Sequence, residues 1–167
     1  MKNIVSPFLI GWLLFGGDDG VIPSSVSASY FKNASLITDY PHVKAGDSLV
    51  FLREYVAEDR EEGADNEYSE RFYFTIPKGF KSFGLKGDEL NSINIKFLQY
   101  CFCMFGEDLE ILGGQMTGQL NDDFWTISAN IDLAFYYRIS EDSLTLAEPI
   151  NKTFSNKFKL KSLTEVD

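Results

Sequence analysis

The chain of 167 residues carries 25 Asp and Glu against 15 Lys and Arg, a formal charge of −10, which repels phosphate backbones and disfavours nucleic acid as a partner. Hydrophobic residues make up 44% and charged residues 24%, which rules out wholesale disorder, and with only two Cys the chain is no disulfide-stapled miniprotein. Fifteen Phe, eight Tyr and two Trp lean the composition toward β structure, and the length reads as a single domain over residues 1–167.

At the N-terminus, Lys2 precedes an apolar run over residues 4–15, too short for a bilayer span, which takes about 20 helical residues. A basic start before such a run fits an export leader within residues 1–28, with Val26-Ser27-Ala28 as a small-x-small site. Gly16-Gly17-Asp18-Asp19-Gly20 is instead strong turn chemistry and favours a first buried strand and a cytoplasmic protein; the exported or periplasmic reading is the alternative. Cys101 and Cys103, two residues apart on a strand, would sit about 7 Å apart, too far for a disulfide, and free thiols suit a reducing compartment.

Short strands are expected near 26–31 and 34–38, and then at 49–56 and 68–76, the latter two joined by a polar, acidic connection. A Gly-rich loop follows over 79–86. Residues 88–105 admit two readings. A helix would have Asp88 as N-cap, Gly106 after its end and an apolar stripe through Leu90, Ile93 and Phe97. The β-branched and aromatic content and the alternation of 93–97 favour a strand at 92–105. Strands at 108–120 and 124–139 complete an up-and-down meander with it, turned at Asn121-Asp122-Asp123.

The segment 124–139 is the clearest element. Trp125, Ile127, Ala129, Ile131, Leu133 and Phe135 alternate with polar or small residues, so the spacing predicts one long half-buried strand of roughly 50 Å that must bend or run round a barrel. Gly113, Gly114 and Gly118 in its partner point to a bulge or a close approach. With a strand near 143–147 and an edge strand at 157–161, whose Lys157, Lys159 and Lys161 oppose Phe158 and Leu160, the fold class is all-β. The expected architecture is an antiparallel meander closing into a barrel or sandwich of about eight to ten strands, with at most one short helix.

Little chemistry of a catalytic kind is legible. The single His, His42, sits in a turn beside Pro41, and no Gly-x-Ser-x-Gly elbow accompanies it. One His and one Cys-x-Cys do not make a zinc site, and the phosphate-loop pattern fails because Leu85 follows Gly84, although Lys78, Lys81 and Lys86 suggest a small anion site. No catalytic residue, metal or cofactor is assigned. The acidic 58–67 segment fails the spacing of a calcium loop, since Arg60 falls on a ligand position.

Acid placement is the informative feature. Residues 54–70 hold Glu54, Glu58, Asp59, Glu61, Glu62, Asp65, Glu67 and Glu70 against Arg60, and a second block, 107–142, holds eight acids against Arg138. Such segregation steers a basic partner. The leading expectation is a non-enzymatic interaction protein, inhibitor- or immunity-like in its physics, that binds a basic protein through Tyr55, Glu58, Asp59, Glu61, Glu62, Asp65, Glu67 and Tyr68. The alternative is a calycin-like barrel holding a small apolar or sugar ligand against the Trp125, Ile127, Ile131 and Phe135 face. An enzyme with carboxylates converging in a cleft stands third, and an exported or envelope-associated protein is compatible with each.

Overall fold

The alternation at 124–139 becomes the longest strand of one nine-stranded sheet. The computed structural model describes residues 24–37, 42–57, 68–100, 108–140 and 143–163. Its strands are β1 Ser25–Ile37, β2 His42–Val56, β3 Ser69–Pro77, β4 Ser82–Lys86, β5 Ile95–Tyr100, β6 Asp108–Asn121, β7 Phe124–Ser140, β8 Ser143–Leu146 and β9 Ile150–Leu160, with a 3-10 helix at Gly87–Ser92. The sheet order is β4-β6-β7-β9-β1-β2-β3-β5, and β8 pairs with β7 beyond the start of β9. Every pairing is antiparallel except the short contact of β1 with β9.

Inward-facing side chains curl this sheet around one core. Phe97 on β5 stacks at 6.0 Å on Phe135 of β7, and Phe74 on β3 meets Phe83 of β4 at 6.4 Å, although these strands are far apart in the sheet order. The result is an open barrel, all-β as the alternation implies, whose first and last strands are not joined by hydrogen bonds among the described residues. Phe51 sits at its centre, with ring centroids 4.6 Å from Phe74, 5.5 Å from Trp125, 5.7 Å from Phe158 and 5.8 Å from Tyr30. Burying each such ring removes apolar area worth about 2–3 kcal/mol from water. A smaller cluster, including Phe31, Val50, Leu52 and Tyr73, lies on the opposite face of β1 to β3.

The 3-10 helix joins β4 to β5 along the chain and packs against β6 and β4. Gly87, at φ +55, starts the turn, Lys86 N–H donates to the Glu89 carboxylate at 3.0 Å, and Leu90 is fully buried against the core. Extended backbone at Ile93 ends it, as β-branched Ile93 and Ile95 favour. The 92–105 strand is therefore corrected: its first residue is helical, the strand proper is β5, and 101–105 lie outside the described residues. The three-strand meander is also corrected, because β5 pairs with β3 while β6 pairs with β4 and β7. Only the 121–124 hairpin of that meander forms as expected.

Other boundaries move for local reasons. The two short strands near 26–31 and 34–38 are one strand, interrupted by a bulge where Asn33 takes φ 53. Residues 82–86, read as loop, pair with β6 because Phe83 packs over Gly118, where a Cβ would lie 2.2 Å from the Phe83 ring. The lysine-bearing strand is not an edge. β9 lies between β7 and β1, Lys157 and Lys159 face outward, Phe158 fills the core, and Leu160, in phase with Phe158, is exposed at the end of the strand. Residues 1–23, which carry the first-strand reading and most of the 1–28 leader reading, lie outside the described residues, and Val26-Ser27-Ala28 of the leader reading lies in β1. No helix among the described residues is long and apolar enough to cross a membrane.

Candidate functional site

Antiparallel order decides which connections share an end of the barrel. The connections from β2 to β3, from β5 to β6 and from β7 to β8 all leave from the end at which β1 and β9 begin. In sequence they are 58–67, 101–107 and 141–142, which hold nine of the 25 acids and one cation, Arg60. The described residues, by contrast, hold 11 of the 25 acids and 13 of the 15 Lys and Arg. The described residues are thus close to neutral, and the excess negative charge of the sequence belongs to the segments outside them. The second acidic block divides accordingly. Asp108 and Glu110 start β6 at this end, Asp122 and Asp123 form the turn at the opposite end, and Asp132 is exposed on the outer face of β7.

Tyr55 and Tyr68 mark where the 58–67 connection leaves and returns. Ala57 N–H donates to the Tyr68 carbonyl at 2.8 Å, and the two tyrosine rings meet edge to face at 6.4 Å. Glu58, Asp59, Glu61, Glu62, Asp65 and Glu67 lie outside the described residues. Of the eight residues expected to meet a partner, the structure therefore places the two aromatic ones together at the base of the acidic segment.

Beneath them lies a polar layer that the charge-block reading missed. Glu70 does not join the outer acidic surface; it is buried, in phase with the core residues Phe72 and Phe74 of β3. Lys152 Nζ donates to it at 2.5 Å, and their side chains are only 18% and 10% exposed. Tyr68 OH donates to the same Glu70 oxygen, and Gln99 Nε2 donates to Tyr68 OH at 2.9 Å. Arg53 Nε donates to Asn156 Oδ1 at 3.0 Å. Both cations sit over rings, Arg53 Cζ 5.2 Å from the Phe154 centroid and Lys152 Nζ 4.6 Å from that of Phe97. The signal was present in the sequence: Arg53 follows Leu49 and Phe51 at spacing two, and Lys152 precedes Phe154 at the same spacing.

Titration follows this environment. Burial pushes the Arg53 guanidinium below its usual value, against the opposing pull of Glu70 and Tyr55. Tyr68 is pushed from 10.0 up to about 12, first by burial and then by its hydrogen bond to Glu70. Because the folded value exceeds the unfolded one, the contribution of Tyr68 is complete below pH 10.0 and is lost as the pH rises to about 12. Denaturant midpoints should therefore fall over that window, and Tyr68→Phe should flatten part of the fall; identical alkaline profiles for the two proteins would contradict the assignment.

The remaining candidates do not assemble. Lys78 donates to Asn33 at 2.6 Å, and the length of β4 separates Lys81 from Lys86, so the three lysines form no anion site. His42 opens β2 opposite Ile37, at the hairpin end of β1 and β2. Among the described residues no three His, Cys, Asp or Glu side chains gather as metal ligands. The Trp125 face is occupied by protein: Trp125, Ile127 and Ile131 are buried, with Phe51 and Phe83 rings 5.5 and 5.8 Å from Trp125. No protein-family model matches the chain, and neither curated proteins nor solved structures provide a match.

Proposed function

We propose that the protein is a non-enzymatic binding module that presents its acidic end to a basic protein partner and blocks that partner's surface, as an inhibitor or immunity-like protein does. The observation that carries this reading is the placement of the acidic connections on one end of a nearly neutral sheet. A one-sided field of this kind raises the encounter rate with a cationic surface, and the Tyr55–Tyr68 pair offers aromatic anchors at the base of the 58–67 segment. The filled core around Trp125 favours this reading over a ligand held against that face.

The test is capture on the immobilised full chain from its native source, beside a variant carrying Glu58→Gln, Asp59→Asn, Glu61→Gln and Glu62→Gln. A basic protein retained by the parent at low salt, released at high salt and lost from the variant is the expected result. The same proteins retained by both chains, independently of salt, would refute it.

A further inference from the structure

We propose that Arg53 and Lys152 form a binding site for a single carboxylate group inside the acidic end of the barrel. The two cations project inward because they share the phase of core residues on β2 and β9, and one carboxylate, Glu70, serves both. Lys152 gives one of its three N–H donors to Glu70. Among the described residues Arg53 gives its Nε–H to Asn156, and because Arg53 is only half-buried and no buried nitrogen lacks a partner, its terminal fork of N–H donors opens to solvent, where a ligand can reach it. That fork matches the two oxygens of a carboxylate.

Charge selects the class of ligand. Arg53 and Lys152 against Glu70 leave one positive charge, which a monoanion balances and a phosphate dianion oversteps. Of the other polar groups of this layer, Gln99 and Asn156 carry no charge, and Tyr68, pushed up to about 12, is neutral at pH 7. Phe97, Phe135 and Phe154 form the apolar wall beside the cations. The carboxylate can belong to a free small acid or to a peptide. The surrounding acids repel the first and attract a carboxylate that arrives among lysines, so the peptide source should bind more tightly. The site rests on the described interior and does not require that the 58–67 segment meet a partner.

The experiment titrates the full chain with acetate, with a lysine-rich peptide ending in a free carboxylate, and with the same peptide amidated, following the Arg53 and Lys152 side-chain NMR signals. Saturable shifts of both signals are expected with acetate and, at lower concentration, with the free-carboxylate peptide but not its amide. Arg53→Gln should weaken binding by about tenfold or more, and Glu70→Gln, which raises the local charge, should tighten it severalfold. That opposite response separates a ligand site from a merely structural network. Acetate binding as well as the peptide identifies a free acid as the source, and response to the free-carboxylate peptide alone identifies a peptide. Signals that move with none of the probes, or affinities unchanged in both variants, overturn the site.

Discussion

Replacing Phe51 by alanine should lower the free energy of unfolding by about 3–5 kcal/mol, the range for emptying a fully packed aromatic site. Phe51 is completely buried and its ring touches Tyr30, Phe74, Trp125 and Phe158, which come from β1, β3, β7 and β9. The barrel encloses these rings from several sides, so the void cannot collapse without moving strands that are themselves paired. Phe124, which shares a strand with Trp125 but is only partly buried, should tolerate alanine at a much smaller cost. Urea titration of both variants checks the contrast. Equal losses would mean that the interior is not packed around Phe51.

Removing the ammonium from the polar layer should cost nearly as much. Lys152→Met leaves Glu70 buried with Tyr68 as its remaining hydrogen-bond donor, and breaking such a pair from one side costs about 3 kcal/mol. The cost reflects an uncompensated buried charge, so adding Glu70→Gln to Lys152→Met should return at least half of it while keeping an acceptor for Tyr68. Full recovery is not expected, because Arg53 then loses the nearby carboxylate that opposes its desolvation. A double variant no more stable than Lys152→Met alone would show that the two residues act independently.

The legible part of the fold is the part governed by local periodicity. Residues 124–139 alternate without interruption in sequence, and β7 follows that alternation from Trp125 to Leu133, with Trp125, Ile127, Ile131 and Leu133 buried and Ser128, Asn130 and Asp132 exposed, before Ala134 is buried as well. The Asn121–Phe124 hairpin and the irregularity at Gly113 were likewise written in turn and glycine chemistry. Gly114 shows why that position excludes other residues: at φ +113, a Cβ would lie 2.2 Å from the Asn130 carbonyl oxygen.

Strand order was not legible, because period two says which face a residue takes and nothing about its neighbour. Lys157, Lys159 and Lys161 look like an edge-protecting set, yet β9 lies inside the sheet, where outward lysines are simply solvated. Residues 87–92 turn helical through Gly87 and the Glu89 cap, signals shorter than the β-rich run that follows. Half of the candidate site was hidden differently. Glu70 belongs to an acidic stretch by composition, but by phase it belongs with Phe72 and Phe74, and phase determined its burial. Tyr55 and Tyr68 come together because antiparallel pairing of β2 with β3 brings the two ends of the 58–67 connection side by side.

Whether the acidic end steers a basic partner is read from the association rate constant with the captured protein, measured across ionic strength. For the parent chain the rate should fall by about tenfold or more between low and high salt, while the variant neutralised at Glu58, Asp59, Glu61 and Glu62 should associate slowly at low salt with a nearly flat dependence. Parallel salt dependences with equal low-salt rates would contradict the claim that the acidic end guides binding.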